Sequence, residues 1–290
     1  MKKLIIAVFF VNISLALCQS ISFSGEPELF EPGIVSAENS EVKVTFSKDG
    51  NLLLWGSVDK EGNLSILKSV KVENGWNTPE PVSFNSSAND FDPSFSADGK
   101  TLYFFSNRSG GAGGDDLYSV KYDSENGSFG EPVNMGTQFN TPGDEWGPAE
   151  SADGKKFIFC TDGLGGKGKH DVFICEKTHE GWGVPENIDV INSADDDFDP
   201  VLLHDNKTIL FTQRFNDDEA YLYITFLTKD GYTIPKKVSA LMNVAGVWNF
   251  GSCINPSEDS YIYYSTRINN NSKGRLDIYR IKYNITDNAE

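Results

Sequence analysis

Short apolar runs, each announced by a small polar turn, recur along the chain at a period of roughly 52 residues. The turns are Thr45-Phe46-Ser47-Lys48-Asp49-Gly50, Ser94-Phe95-Ser96-Ala97-Asp98-Gly99, Ala149-Glu150-Ser151-Ala152-Asp153-Gly154, Leu203-His204-Asp205-Asn206 and Ile254-Asn255-Pro256-Ser257-Glu258. Their aligned positions, 49, 98, 153, 205 and 257, lie 49, 55, 52 and 52 residues apart. The runs that follow are Leu52–Trp55, Leu102–Phe105, Phe157–Cys160, Ile209–Phe211 and Tyr261–Tyr264. They are short, aromatic-rich and bounded by turn residues, the pattern of strands buried on both faces. Asp-Gly between two such strands predicts a tight hairpin, because both residues tolerate positive φ. A further strand begins near Leu117-Tyr118, Val172-Phe173, Leu222-Tyr223 and Ile278-Tyr279. Each of the first four copies ends with an aromatic three residues before a proline: Trp76/Pro79, Phe129/Pro132, Trp182/Pro185 and Tyr232/Pro235. Proline is tolerated there if the strand is an edge.

Four short strands per copy at this period predict an all-β fold, a five-bladed β-propeller of four-stranded antiparallel blades. The blades should span about 41–85, 90–137, 145–190, 197–242 and 249–283. The fifth copy stops at Tyr283 without an outer strand, and Gly25-Glu26-Pro27-Glu28-Leu29-Phe30 resembles the missing piece. Residues 25–35 should therefore complete the last blade and close the ring. Residues 1–20 read as a signal peptide: Lys2 and Lys3, then an apolar run from Leu4 to Leu17. The remaining 21–290 should form one domain, exported to the periplasm or secreted. A lipid anchor on Cys18 is the alternative, although Leu17 stands where a small residue is usual. No other apolar stretch is long enough to span a bilayer as a helix.

The stretch Phe91-Asp92-Pro93-Ser94-Phe95-Ser96-Ala97-Asp98-Gly99-Lys100-Thr101-Leu102-Tyr103-Phe104-Phe105-Ser106-Asn107-Arg108 resembles the WD-repeat-like blade of TolB-type periplasmic propellers, as does the glycine-rich stretch ending Asp116-Leu117-Tyr118. The resemblance covers about residues 23–283 and is strongest in the second and third copies. It implies an exported bacterial propeller used for binding or assembly.

Charge narrows the choice of partner. The net charge of −17 repels phosphate backbones and anionic lipid heads, so nucleic acid is not an expected partner. Of the four cysteines, Cys18 falls in the signal, Cys160 and Cys175 on adjacent strands of one copy, and Cys253 alone. No Cys-x-x-Cys pair is present, so no zinc site follows from the cysteines. Cys160 and Cys175 are expected to stay reduced, since a bridge between neighbouring strands closes a short loop and strains the sheet.

Aligned on Phe46 and Phe95, the copies share a polar column five residues earlier: Glu41, Asp90, Glu145, Asp197 and Asn249. A second column, two residues on, holds Lys43, Asp92, Gly147, Asp199 and Gly251. Period-two alternation would put both on one side of the innermost strand, ringing a mouth of the central channel. A polar funnel or cation site is one reading. Turn capping or blade-to-blade pairing is the other, with Arg108, Arg214 and Arg267 as partners. The expected ligand-binding residues are Glu41, Asp90, Glu145, Trp146, Asp197, Trp248 and Asn249. The tryptophans would give flat apolar contact beside the acids.

No cofactor and no metal ligand is expected; calcium is the alternative. Gly110-Gly111-Ala112-Gly113-Gly114-Asp115-Asp116-Leu117-Tyr118 matches one unit of a calcium-binding nonapeptide, and one unit makes no stacked site. The run Asp195-Asp196-Asp197-Phe198-Asp199 lacks EF-hand spacing. His170, His179 and His204 fall in loops of different copies, and no Gly-x-Ser-x-Gly or His-Glu-x-x-His motif is present. The leading expectation is thus a non-catalytic propeller binding a partner protein or an envelope or extracellular glycan. The rival is a glycan-active enzyme drawing its acid and base from Asp92, Glu145, Asp197 and Asp199. The two are separated by whether two carboxylates face one open cleft at glycosidase spacing.

Overall fold

The computed structural model describes residues 19–268 and 272–286. Most of the expected signal segment, with Cys18, lies outside the described residues. Five antiparallel blades surround an axis, with no helix among the described residues. Blade 1 comprises Ser40–Phe46, Leu52–Val58 and Leu64–Val72, with outer pieces Gly75–Trp76 and Glu80–Pro81. Blade 2 comprises Asp90–Phe95, Thr101–Ser106, Asp116–Asp123, Ser128–Phe129 and Val133–Asn134. Blade 3 comprises Glu145–Glu150, Lys156–Thr161, Asp171–Thr178, Gly181–Trp182 and Glu186–Asn187. Blade 4 comprises Asp197–Leu202, Thr208–Arg214, Ala220–Thr228, Gly231–Tyr232 and Lys236–Lys237. Blade 5 runs Phe250–Asn255, Glu258–Thr266 and Asp277–Thr286, and its outer strand is the N-terminal Ser20–Leu29.

Closure has two parts. Ser20–Ser24 pair with Lys282–Thr286, and after a bulge Glu28 and Leu29 pair with Arg280 and Tyr279. The strand therefore begins five residues before the expected 25–35, and the chain turns away after Phe30, whose N–H still donates to Ile278. The innermost strand of each blade also packs against the next, and that of blade 5 against that of blade 1. Apolar clusters fill the wedges between neighbouring blades. Tyr103, Phe139, Phe157 and Phe159 lie between blades 2 and 3; Leu210, Met242, Ile262 and Tyr264 lie between blades 4 and 5.

Local chemistry explains the turns. The hairpin in blade 1 is longer than the tight two-residue turn: Ser47 N–H donates to Leu52 across a four-residue loop. Asp49 anchors it by accepting from Ser47 Oγ at 2.5 Å and from Asn51 N–H at 3.1 Å, while Gly50 alone supplies the left-handed φ of 68°. Asn206, at φ 55°, takes that place in blade 4. The outer strand of blades 1 to 4 is split in two, and its proline sits in the break, where no ladder donor is needed.

The three described cysteines are free and buried. Cys160 faces Val172 across the ladder and Cys175 faces Phe157, so no bridge joins them. Burial pushes the Cys175 and Cys253 thiols up to about 12.

Candidate functional site: an aromatic cup over a buried carboxylate pair

The two polar columns do not share a face. Every innermost strand carries a β-bulge just after the first column. At the bulge, Lys43, Asp92, Gly147, Asp199 and Gly251 have φ of 51°, 54°, 63°, 49° and 62°. This left-handed step breaks the alternation and sends three successive side chains in three directions.

The first column turns into the structure. Glu41, Asp90, Glu145, Asp197 and Asn249 are all buried, and each caps the loop that leads into its own blade. Glu41 Oε2 accepts from Ala37 N–H at 3.2 Å, Asp90 Oδ2 from Ser86 N–H at 2.6 Å, and Glu145 Oε2 from Thr141 N–H at 3.1 Å. Asp197 Oδ2 accepts from Ser193 N–H at 2.5 Å, and Asn249 Oδ1 from Val244 N–H at 2.9 Å. Burial raises Glu41 to about 8, Glu145 to about 7 and Asp197 to about 6, against the loop hydrogen bonds that favour the charged forms.

Arginine serves this column once. Arg108 Nη2 meets Asp90 Oδ1 at 2.5 Å. Arg214 reaches Asp196 instead, at 3.0 Å, and Gln213 donates to Asp197 at 2.8 Å. Arg267 is exposed, and Asn249 takes its hydrogen bond from Thr266 Oγ1 at 2.7 Å. Of the two readings of this column, a polar funnel at the channel mouth and turn capping, these hydrogen bonds are those of caps, and a desolvated carboxylate is stable where donors surround it.

The second column meets at the axis. Asp92 and Asp199 hydrogen-bond to each other, and the buried Lys43 lies close enough to stabilise both as anions. Burial holds Asp92 protonated far above the usual carboxylate range, and the charge of Asp199 adds to this. Burial also raises Asp199, but Lys43 opposes it, so Asp199 is the anion of the pair. Gly147 N–H donates to Asp92, and Gly251 N–H to Asp199 Oδ2 at 3.0 Å, stitching blades 3 and 5 to blades 2 and 4. Gly147 must be glycine here: a Cβ would stand 2.9 Å from Asp199 Cα. Lys43 continues along the axis to Pro148 O at 3.3 Å. A cavity of about 30 Å³ lies below it, room for a water or two.

Between the columns lies an apolar position: Val42, Phe91, Trp146, Phe198 and Phe250. Its four aromatics open onto one cavity of about 220 Å³. One wall is Phe91, Phe105 and Trp146, with ring centroids 5.9 and 6.4 Å apart in sequence. The other is Phe198, Trp248 and Phe250, whose centroids are 5.8 to 6.3 Å apart. Leu64, Asp196 and Arg214 also line the cup, as do Asp92 and Asp199. Trp146 is fixed by Asp115, which accepts from its Nε1–H at 2.8 Å, and Trp248 by Asp217 O at 3.2 Å and the Arg214 guanidinium over its ring. Of the expected ligand-binding residues, the structure brings only Trp146 and Trp248 to this cup. Phe91, Phe198 and Phe250 were missed, although an aromatic next to the polar column in four of five copies was visible. Among the alternative catalytic acids, Asp92 and Asp199 reach the cup, while Glu145 and Asp197 cap loops.

The glycine run Gly110–Gly114 wraps a carboxylate rather than forming a stacked nonapeptide turn. Asp116 Oδ2 accepts from Ala112 N–H at 2.6 Å and Asn134 Nδ2 at 2.7 Å, and its Oδ1 from Gly113 N–H at 3.2 Å. Asp171 and Asp277 hold the corresponding loops through Lys167 N–H and Lys273 N–H at 2.6 and 2.8 Å.

No protein-family model and no curated protein sequence matches the chain. Its fold is similar to that of several solved structures. TolB from Acinetobacter baumannii aligns at TM-score 0.50 and 16% identity over 86% of this chain; the chain spans 56% of that protein's length. The α-L-arabinofuranosidase PaAbf62A from Podospora anserina, solved with cellotriose, aligns at TM-score 0.52 and 11% identity, covering 91% of this chain and 95% of that one. A GH62 hydrolase solved with xylotriose gives TM-score 0.56 and 9% identity over 89% of this chain and 97% of that one. At these identities the likeness is one of fold: a β-propeller scaffold found in TolB and in glycan-cleaving enzymes alike.

Proposed function

We propose that this protein is an exported, non-catalytic propeller that binds an envelope or extracellular glycan in the aromatic cup. The observation that carries this is the cup itself: six aromatic side chains lining one concavity, with polar groups at its base and rim. Aromatic faces pack against the apolar face of a sugar ring, and carboxylates and a guanidinium receive its hydroxyls. At about 220 Å³ the cup is smaller than the roughly 300–1,000 Å³ of pockets that enclose a drug-sized ligand, so it suits one ring at the end or side of a chain.

The spacing of the acids favours binding over hydrolysis. Asp92 and Asp199 touch, well inside the about 5–5.5 Å of retaining and 6.5–9.5 Å of inverting glycosidases. A water or an anomeric carbon does not fit between two groups sharing a proton. The test is calorimetric titration of the protein with a panel of soluble plant and bacterial oligosaccharides, with chromatography of the same samples after incubation. Saturable binding without cleavage supports the proposal. Cleavage that vanishes in Asp199→Asn, with folding intact, supports the enzyme instead, and saturable binding to a protein but to no glycan supports a protein partner.

A further inference from the structure

A second cluster lies beside the cup, its histidine stacked on Trp146. Asp144, Asp162 and His170 come from three separate segments: the entry to blade 3, the loop after Lys156–Thr161, and the residue before Asp171–Thr178. Each offers a ligand atom within 4.8 Å of the other two. The loops are braced in series. Asp115 N–H donates to Asp144 Oδ1 at 2.8 Å, and Asp144 N–H to Asp162 Oδ1 at 2.9 Å. Asp115 adds a third carboxylate close by, so the cluster gathers negative charge.

The histidine gives the cluster its direction. His170 is 6% exposed, and its ring stacks on Trp146 with centroids 3.7 Å apart. Its Nδ1 lies 2.9 Å from Asp196 Oδ1, and Arg214 holds Asp196 Oδ2 at 3.0 Å. An ionised Asp196 can only accept, so Nδ1 carries a proton, and in the neutral ring the lone pair is then on Nε2. That Nε2 is buried and has no hydrogen-bond partner. A carboxylate on one imidazole nitrogen and an open lone pair on the other is the outer-shell arrangement that orients metal-bound histidines.

We propose that Asp144, Asp162 and His170 form a binding site for a divalent transition metal, zinc by preference, braced from behind by Asp196 and Arg214. The mixed nitrogen and oxygen donors suit zinc better than calcium, which prefers oxygen alone. Zinc ligands lie about 2.0–2.2 Å from the ion, and in a tetrahedral shell about 3.3–3.6 Å from each other. The three ligand atoms, within 4.8 Å of one another, would draw together by up to about 1.5 Å around the ion. Three protein ligands leave a fourth position for water. The bound ion would tie the loops of blade 3 together and fix Trp146 at the wall of the cup.

The test uses tag-free protein stripped with chelator, dialysed, and titrated with zinc, manganese and calcium. Bound metal is measured by mass spectrometry, with tryptophan emission as a second readout because Trp146 lies against the ligand. We expect one zinc per chain, a change in emission on loading, and a higher melting temperature that chelator reverses. Asp162→Asn keeps the oxygen that accepts from Asp144 and sits on an exposed loop, so it should fold as wild type while binding zinc at least tenfold more weakly. His170→Gln should lose both zinc and the emission change. Absence of stoichiometric zinc, unchanged binding in Asp162→Asn, or a preference for calcium would each overturn the proposal.

Discussion

Glu41, Glu145 and Asp197 show how a buried cap makes a fold sensitive to pH. Their folded pKa values, about 8, 7 and 6, lie above those of the unfolded chain. The folded state therefore holds protons that the unfolded state has released, and stability falls as pH rises from roughly 4 to 8. The melting temperature should be higher at pH 5 than at pH 8, by about 5 °C or more. Repulsion within a chain of net charge −17 acts in the same direction. Glu41→Gln separates the two, since it removes one titrating group and keeps an acceptor for Ala37. The fall should be shallower in that variant; an identical fall would assign the effect to net charge alone. Arg108 tests the one ion pair in the column. It holds Asp90, donates to Phe84 O at 3.1 Å, and lies over the rings of Phe104 and Tyr118. Arg108→Ala should cost about 3–5 kcal/mol in chemical unfolding, because it strands a buried carboxylate. A loss under 1 kcal/mol would mean that the Ser86 N–H and hydroxyl suffice to hold Asp90. The columns themselves were plain in the sequence, but their direction was not. Lys43, Asp92 and Asp199 adopt a left-handed bulge that side chains seldom take, and only Gly147 and Gly251 in the same column hinted at it.

At the level of elements, the strands were legible because both faces of each blade are buried, which leaves dense apolar runs between turns. Less legible was what ties strands to loops. Asn85, Asn140, Asn192 and Asn243 each form a two-way clasp with a third strand; Asn192 accepts from Val172 N–H at 2.8 Å and donates to Val172 O at 3.1 Å. Ser36 stands at the matching place before Glu41 and donates to Ile278 O. The asparagine recurs five or six residues before the first column, yet its role needs a strand partner some 20 residues away. Asn192→Ala strands the buried Val172 N–H, while Val172 O keeps Ile188 N–H at 3.1 Å, and should destabilise by about 1–3 kcal/mol; no change would mean that water replaces the clasp. The closing strand was seen from the absent edge in the fifth copy, but its start was displaced by the alternation of Ile21 and Phe23, which pack against the core of blade 5. Deleting residues 20–29 uncovers the edge of Asp277–Thr286. The truncated protein should melt at least about 10 °C lower and self-associate on a sizing column. A monomer with unchanged melting would show that the contacts between blades 1 and 5 close the ring unaided.

The whole molecule makes the site, since no blade holds a cup alone. Bulges from all five blades converge at the axis, Asp92, Asp199 and Lys43 plug it, and aromatics from blades 2 to 5 stand above the plug. Repetition made the polar ring easy to find and hid the part that differs between blades: valine instead of an aromatic in blade 1, glycine instead of a charge in blades 3 and 5. The five tryptophans give a direct readout of the cup. Their indole N–H groups can be followed one by one in a proton–nitrogen correlation spectrum, assigned by single replacement, while a glycan that binds in calorimetry is added. Trp146 and Trp248 line the cup; Trp55 is fully buried, and Trp76 and Trp182 belong to outer strands. Saturable shifts of Trp146 and Trp248, with the other three unmoved, are the predicted result. Shifts confined to Trp76 or Trp182, with Trp146 and Trp248 still, would contradict a glycan site at the cup.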